Sequence, residues 1–300
     1  MFNSLSRILA REQHAFLSRD RQEWWNHLAR IQDFLGEGLN QANRARPVLI
    51  LGAGSGLEIP WKQAPRGTTG WDADPFSRVR TLLRHGRWAP WVFGDLTDAF
   101  EPLRLAAERS VQESWSGRRR RLDIAQVRLA ALLPSLPMEP IALRRWIHTH
   151  RPGTILAANV MGQLAPLAQR MLERAFAPEL PWEADAEVPD RLHEALERWA
   201  ERVIRSLLKA LDESGAELWL VHDRAVLESA SALDLGPFTL DWKAQVKGVP
   251  RLEAWDPLCG VEVVAELATR TSLRQERWFW PVGEGQHHLV EALAFATKTP

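Results

Sequence analysis

A strongly apolar segment that runs directly into three spaced glycines most constrains what this 300-residue chain can fold into. Residues 48–51 read Val-Leu-Ile-Leu, and Gly52, Gly54 and Gly56 follow at once. A continuous apolar run is typical of a strand that is buried on both faces, as in a parallel sheet. Glycines after such a strand allow a tight turn and let the backbone approach a ligand closely. The segment therefore predicts an open α/β sheet with a ligand-binding loop.

Further strand-like and helix-like segments alternate along the chain. Strands are predicted at residues 67–72, 91–95, 154–159 and 217–222, and helices at 75–85 and 192–211. In the first of these helices, Phe76, Val79, Leu82 and Leu83 are expected to face inward. The alternation predicts an α/β fold with a Rossmann-like, mostly parallel seven-stranded sheet and helices on both faces.

Two segments near the end of the sequence predict an antiparallel hairpin. Residues 273–282 and 286–296 flank Gly-Glu-Gly, which is typical of a hairpin turn, although the second arm could also be helical. The C-terminal hairpin would complete the seven-stranded sheet.

Two further segments are predicted to be helical additions. Leu17, Trp24, Leu28, Ile31 and Leu35 keep helical spacing, and Gly36 and Gly38 are expected to end that helix. We therefore expect residues 1–45 to form an N-terminal helical cap. Residues 46–300 are then the main domain, with a helical insertion at about 100–150 that is broken into two helices around residues 134–137.

Composition excludes several classes of partner. The chain has 38 basic and 38 acidic residues, which argues against a partner held mainly by charge, such as bulk nucleic acid or an anionic membrane. The basic run 118–121 is interpreted as a solvated surface. The single cysteine, Cys259, excludes an internal disulfide and a multi-cysteine zinc site. The sequence shows neither a signal peptide nor a membrane-spanning run, so cytoplasmic localisation is the default expectation.

The glycine spacing distinguishes two families of nucleotide-binding loop. A dinucleotide-binding loop places its third glycine at position 57, which is leucine here. Glycines at 52, 54 and 56 instead resemble the loop of class I (Rossmann-like) S-adenosylmethionine (SAM)-dependent methyltransferases. The resemblance implies SAM as the cofactor, bound at Gly52, Ala53, Gly54 and Gly56.

The same resemblance extends to acidic and amide residues after later strands. Asp72 matches the carboxylate that accepts hydrogen bonds from both ribose hydroxyls, while Asp74 is either its substitute or a helix cap. Asp95 and Leu96 match the residues that face adenine, although a Gly-Asp pair is also common in turns. Asn159 matches the position that faces the methionine part of the cofactor and the acceptor.

Candidate catalytic residues are sought at the carboxyl ends of the strands, where ligands bind in open α/β sheets. His222 and Asp223 end the fifth predicted strand and are the first choice as a base, although a lone histidine is more often structural. His287 and His288 are placed in the hairpin turn. Methyl transfer from a sulfonium needs no metal, and none is predicted.

Tryptophans suggest one further feature of the acceptor side. Trp24, Trp25, Trp278 and Trp280 could form an aromatic wall, or could simply pack in the core.

The leading functional hypothesis is a SAM-dependent methyltransferase that acts on a small-molecule acceptor, since the chain is electrically neutral and has two candidate cover segments. A non-catalytic SAM-binding or scaffold protein of the same fold is the alternative, because no acid–base constellation is evident. A nicotinamide-dependent oxidoreductase is a third hypothesis, and Leu57 weighs against it.

Overall fold

The computed structural model describes residues 21–54, 56–116, 119–120, 122–176, 190–229, 235, 238–239, 242–247, 249, 251–283 and 285–298. Leu17, predicted to belong to the first helix, lies outside these residues. The strands are β1 (Val48–Leu51), β2 (Thr69–Asp72), β3 (Trp91–Phe93), β4 (Trp115–Ser116), β5 (Arg119–Arg120), β6 (Thr154–Ala158), β7 (Glu217–Glu228), β8 (Glu253–Trp255), β9 (Ser272–Gly283) and β10 (Gln286–Phe295). The helices are α1 (Arg21–Gln41), α2 (Ser77–His85), α3 (Phe100–Glu113), α4 (Leu122–Leu132), α5 (Ile141–His150), α6 (Met161–Phe176), α7 (Asp190–Glu213), α8 (Trp242–Val246) and α9 (Val263–Glu266).

A central sheet holds the domain together, and its strand order is β3-β2-β1-β6-β7-β10-β9. Strands β3, β2, β1, β6 and β7 run parallel, and β10 runs antiparallel to both β7 and β9. The predicted hairpin is confirmed, and its second arm is a strand rather than a helix. Within the described residues, the short strand β8 pairs with the end of β7 and brings the sheet to eight strands.

The two faces of the sheet bury different helices because side chains alternate along each strand. Leu49 and Leu51 of β1 point into the larger core, which α3, α4, α6 and α7 cover. Val48 and Ile50 point to the opposite face, where α1 lies. Both faces are therefore covered, as a parallel sheet requires.

Helix α1 packs directly on the sheet, against β6, β7 and β9. It does not end at Gly36 or Gly38, as the sequence predicted, but continues to Gln41. A Cβ on Gly38 would lie 2.6 Å from the Trp219 ring, and one on Gly36 would lie 2.7 Å from the Gln63 side chain. These glycines therefore serve close packing within the helix rather than its termination.

The segment from 100 to 150 differs in detail from the prediction. Its described residues form three α-helices, α3, α4 and α5, where two were expected. The first break contains the short antiparallel pair of strands β4 and β5, and the second is the 3-10 turn Leu133–Ser135.

Helix α2 presents the opposite face to the one predicted. Phe76, Val79 and Leu83 are exposed, while the small polar residues Ser77 and Thr81 are buried. None of the helices in the described part of the chain is both long enough and apolar enough to cross a membrane.

Candidate functional site

The glycine loop lies where the strand order reverses, between β1 and β6, which is the usual ligand-binding crevice of an open α/β sheet. Gly52, Gly54 and Gly56 all have positive φ, at 62°, 49° and 72°, a region that glycine adopts without steric cost. A Cβ on Gly52 would lie 2.3 Å from Cγ2 of Val160, which follows β6. Glycine at 52 is therefore required both by conformation and by space.

The described residues that directly follow the glycine loop do not form a helix. Residues 56–68 form turns, so the loop gains no helix N-terminus of its own. Side chains from neighbouring elements hold it instead. Gln32 of α1 donates to the Leu57 carbonyl at 2.6 Å, His85 Nε2 lies 2.8 Å from the Gly56 carbonyl, and Arg87 donates to the Trp61 carbonyl at 3.0 Å.

Asp72, at the end of β2, joins the glycine loop to the second strand. Its Oδ2 accepts a 2.6 Å hydrogen bond from the Gly54 amide, and its Oδ1 accepts a 2.7 Å bond from the Asp74 amide. A carboxylate has about four acceptor positions, so each oxygen keeps one for a ligand hydroxyl. Burial, only partly offset by these bonds, raises the pKa of Asp72 to about 6. The residue thus fits a pair of ribose hydroxyls in residue type and remaining acceptor positions.

Asp74 stabilises the turn that precedes α2. It is completely buried, accepts from the Phe76 amide at 2.9 Å and forms an ion pair with Arg80. Asp74 therefore holds the turn before α2 and does not cap the helix through its side chain, since the N-cap of α2 is Phe76.

Asp95 and Leu96 follow β3, two strands from the glycine loop. The Asp95 carboxylate accepts from the Thr97 amide, the Thr97 hydroxyl and the Phe100 amide at 2.7–2.9 Å. These bonds order the turn and begin α3, and burial raises the pKa of Asp95 despite them. Leu96 is half-buried against the larger core.

Asn159 connects β6 with β7 at the same edge of the sheet. Its φ is 49°, a value that asparagine tolerates better than most residues. Its backbone amide donates to the Val221 carbonyl of β7 at 2.7 Å. Its side-chain Nδ2 donates to Oδ2 of Asp223 at 3.1 Å. The structure therefore brings two predicted site residues, Asn159 and Asp223, into direct contact.

Asp223 also faces His288 of β10, which the sequence had placed in the hairpin turn. His288 Nδ1 lies 3.1 Å from Asp223 Oδ2. This nitrogen forms no well-aligned hydrogen bond with any of the described residues. Burial raises the pKa of Asp223, but the adjacent His288 and the bond from Asn159 outweigh it, so the pKa lies below its usual value. Asp223 is therefore an anion at neutral pH.

Helix α1 contributes a neutral histidine beside this pair. Burial lowers the pKa of His27 to about 3. Its Nδ1 accepts from Trp278 Nε1 at 3.2 Å, which assigns its proton to Nε2, and its ring stacks on Trp280 at 3.8 Å. Trp24 meets Trp280 edge-on. Three members of the proposed aromatic wall, Trp24, Trp278 and Trp280, are buried and pack around His27. The fourth, Trp25, is exposed.

Glu58 lies close enough to both Asp72 and Asp223 for their charges to act on it. Burial, reinforced by the negative charges of Asp223 and Asp72, raises its pKa to about 7. Sequence reasoning missed Glu58, His27 and His288. Only the position of Glu58, two residues after the glycine loop, offered a signal.

His222 points to the other face of β7 from Asp223, as strand alternation requires. Its side chain is completely buried, and Nε2 lies 3.2 Å from Oε2 of Glu291. Glu291 in turn accepts from Arg277 at 2.7 Å. The surroundings of His222 are those of a residue in a buried ion-pair network.

The strand order, with β10 as the reversed strand, and the glycine loop at the reversal point define a Rossmann-like α/β fold. No protein-family model matches the sequence, and no curated protein matches it significantly.

Solved structures of methyltransferases align with most of the chain at low identity. The N-methyltransferase NodS from Bradyrhizobium japonicum, in complex with S-adenosylhomocysteine (SAH), is 12% identical over 98% of this chain and 99% of its own, with a TM-score of 0.38. The Burkholderia thailandensis 1,6-didemethyltoxoflavin-N1-methyltransferase is 12% identical over 97% of this chain and 88% of its own, with a TM-score of 0.34. The strand order, rather than these alignments, defines the fold.

Proposed function

We propose that the protein is a SAM-dependent methyltransferase. The observation that supports this most strongly is the hydrogen bond from the Gly54 amide to Asp72, which shapes a glycine loop and a ribose-binding carboxylate into one unit at the reversal of strand order. SAM, when bound, supplies a methyl group on an activated sulfonium. The protein then has to hold and orient the two reactants and exclude water.

The proposed cofactor contacts extend along the edge of the sheet. Gly52, Ala53, Gly54 and Gly56 approach the cofactor through the backbone, and Asp72 accepts from the ribose. The remaining acceptor position of Asp95, with Leu96 beside it, faces adenine, and Asn159 faces the methionine part. Asp223 is the catalytic candidate that the geometry favours over His222, because Asp223 adjoins Asn159 and His222 lies in the core.

We further propose a small-molecule acceptor. The chain has no net charge to hold a polyanion, and α1 covers the edge at which Asp223 lies. In this proposal, residues 1–45 act as a cap and the helices within 100–150 as an insertion of one SAM-binding domain that spans residues 46–300. The alternative, a non-catalytic SAM-binding protein, shares the cofactor site and differs in turnover.

Calorimetric titration with SAM, SAH and NAD tests the cofactor. We expect micromolar binding of SAM and SAH, no binding of NAD, and loss of binding in Asp72→Ala. Asp33→Ala, on the exposed side of α1, is the control and should bind like the wild type. Binding of NAD in preference to SAH would contradict the proposal. Formation of SAH with any acceptor then excludes the non-catalytic alternative.

A further inference from the structure

Asp223 is the anionic group on the side of the site away from the ribose-binding Asp72. It is almost fully buried, with 4% of its surface exposed, yet it is paired with no arginine or lysine among the described residues. Its partners are the Asn159 amide at 3.1 Å and the His288 imidazole at 3.1 Å. A buried carboxylate held by an amide and an imidazole keeps acceptor positions for a cationic ligand.

The charges around Asp223 also favour a cation. Glu58 and Asp72 are close enough to act on one another, and Asp223 acts on Glu58. His27 of α1, whose pKa responds to the charge of Asp223, is neutral. Because Asp223 and Asp72 both act on Glu58 as negative charges, a positive ligand is favoured at this edge and a carboxylate or phosphate is not.

We infer that Asp223, oriented by Asn159 and His288, is the binding site for a protonated amine of the methyl acceptor, so that the acceptors of this protein are amines. For methyl transfer the ammonium gives one proton to the Asp223 carboxylate, and the freed nitrogen lone pair bonds to the methyl carbon as the bond from that carbon to sulfur breaks, which leaves SAH. This inference rests on the proposed function. His288 is then a positioning residue that keeps the Asp223 carboxylate turned towards the cofactor edge. A protonated amine would add a second positive partner beside His288, whereas a carboxylate acceptor would bring a second negative charge to Asp223.

The probe is sinefungin, a SAM analogue that carries a primary amine where SAM carries its transferable methyl group. If Asp223 faces that position, the ammonium of sinefungin forms a charge-assisted hydrogen bond that SAH lacks. We expect the wild-type protein to bind sinefungin about tenfold more tightly than SAH, as one such bond allows. The comparison is a ratio, so damage to the fold changes both affinities and leaves the ratio unaltered.

Two variants locate the responsible charge. Asp223→Asn should reduce the preference for sinefungin to about twofold or less while the SAH affinity stays within about threefold. Glu58→Gln should keep most of the preference. His148→Gln, an exposed substitution on α5, is the control and should behave like the wild type. Thermal melts of each variant check that the protein is folded.

The outcomes separate the inference from the function on which it rests. Failure of the wild type to bind SAH would contradict the proposed function itself. Binding of SAH without a preference for sinefungin would overturn only the inference, as would loss of the preference in Glu58→Gln with its retention in Asp223→Asn. His288→Ala should lower the preference for sinefungin, because the Asp223 carboxylate loses a group that orients it, and an unchanged preference would overturn the positioning role of His288.

Discussion

Gly52 and Val160 touch across the reversal point of the sheet, so closely that a Cβ on Gly52 would lie 2.3 Å from Cγ2 of Val160. The contact fixes the distance between the end of β1 and the end of β6. The loop that we propose for the cofactor is thus set by packing between two strands as well as by its own glycines.

We therefore expect Gly52→Ala to weaken SAH binding at least about tenfold and to destabilise the fold by several kcal/mol, because strain at φ 62° adds to the clash. Calorimetry and urea unfolding measure the two effects. Gly67→Ala is a matched control, since Gly67 also has positive φ, at 85°, but open space around its Cα. It should lose only about 1 kcal/mol. Equal effects at both glycines would show that the Val160 contact is unimportant.

Glu58 is expected to make the protein less stable as pH rises from about 4.5 to about 7. Its pKa in the folded protein, about 7, is above the usual 4.5, so the folded state binds more protons in this interval and the free energy of unfolding falls with pH. Because Glu58 is only partly buried, we expect Glu58→Gln to stabilise the protein by about 1 to 2 kcal/mol at pH 8 and little at pH 4. Urea unfolding at the two pH values measures this, and a gain independent of pH would contradict it.

Glu291 has the opposite dependence. Burial raises its pKa, but the bonds with His222 and Arg277 outweigh that effect and hold the pKa at about 2, below the usual 4.5. Its contribution to stability is therefore complete above about pH 4.5 and is lost as pH falls towards 2. Glu291→Gln should cost about 2 to 3 kcal/mol at pH 7 and much less near pH 2. Glu253→Gln, at an exposed position of β8, is the control and should change little at either pH.

Gly38→Ala tests whether α1 is an integral part of the folded domain. Alanine favours a helix by about 1 kcal/mol over glycine, yet its Cβ would lie 2.6 Å from the Trp219 ring. We expect the clash to dominate and to destabilise the protein by about 1 to 3 kcal/mol in urea unfolding. Asn40→Ala, at an exposed position of the same helix, should be neutral or stabilising. A stabilising Gly38→Ala would mean that α1 is only loosely attached.

The sheet and the glycine loop could be predicted because their signals are local. An apolar run specifies a buried strand, and glycine spacing specifies a loop of defined shape. Asp72 lies only 18 residues from Gly54 along the chain, within the reach of a motif.

Other features depend on packing that no local pattern contains. The apolar spacing of Phe76, Val79 and Leu83 predicted a buried face that is in fact exposed, because the contact of α2 with the glycine loop requires the small Thr81. His288 meets Asp223 only through the register of β10 on β7, which shifts between Leu289 and Val290. Neither outcome follows from the spacing of residues within one element.

The pairing of His27 with Trp278 has a consequence for the order in which the site is assembled. The bond from Gly54 to Asp72 closes 18 residues of chain, whereas that from Trp278 to His27 closes 251. Longer loops cost more entropy to close, and contacts that are distant in sequence form more slowly. The edge proposed for the cofactor can thus take shape from a short stretch of chain, while the edge proposed for the acceptor is completed only once β9 has returned to α1.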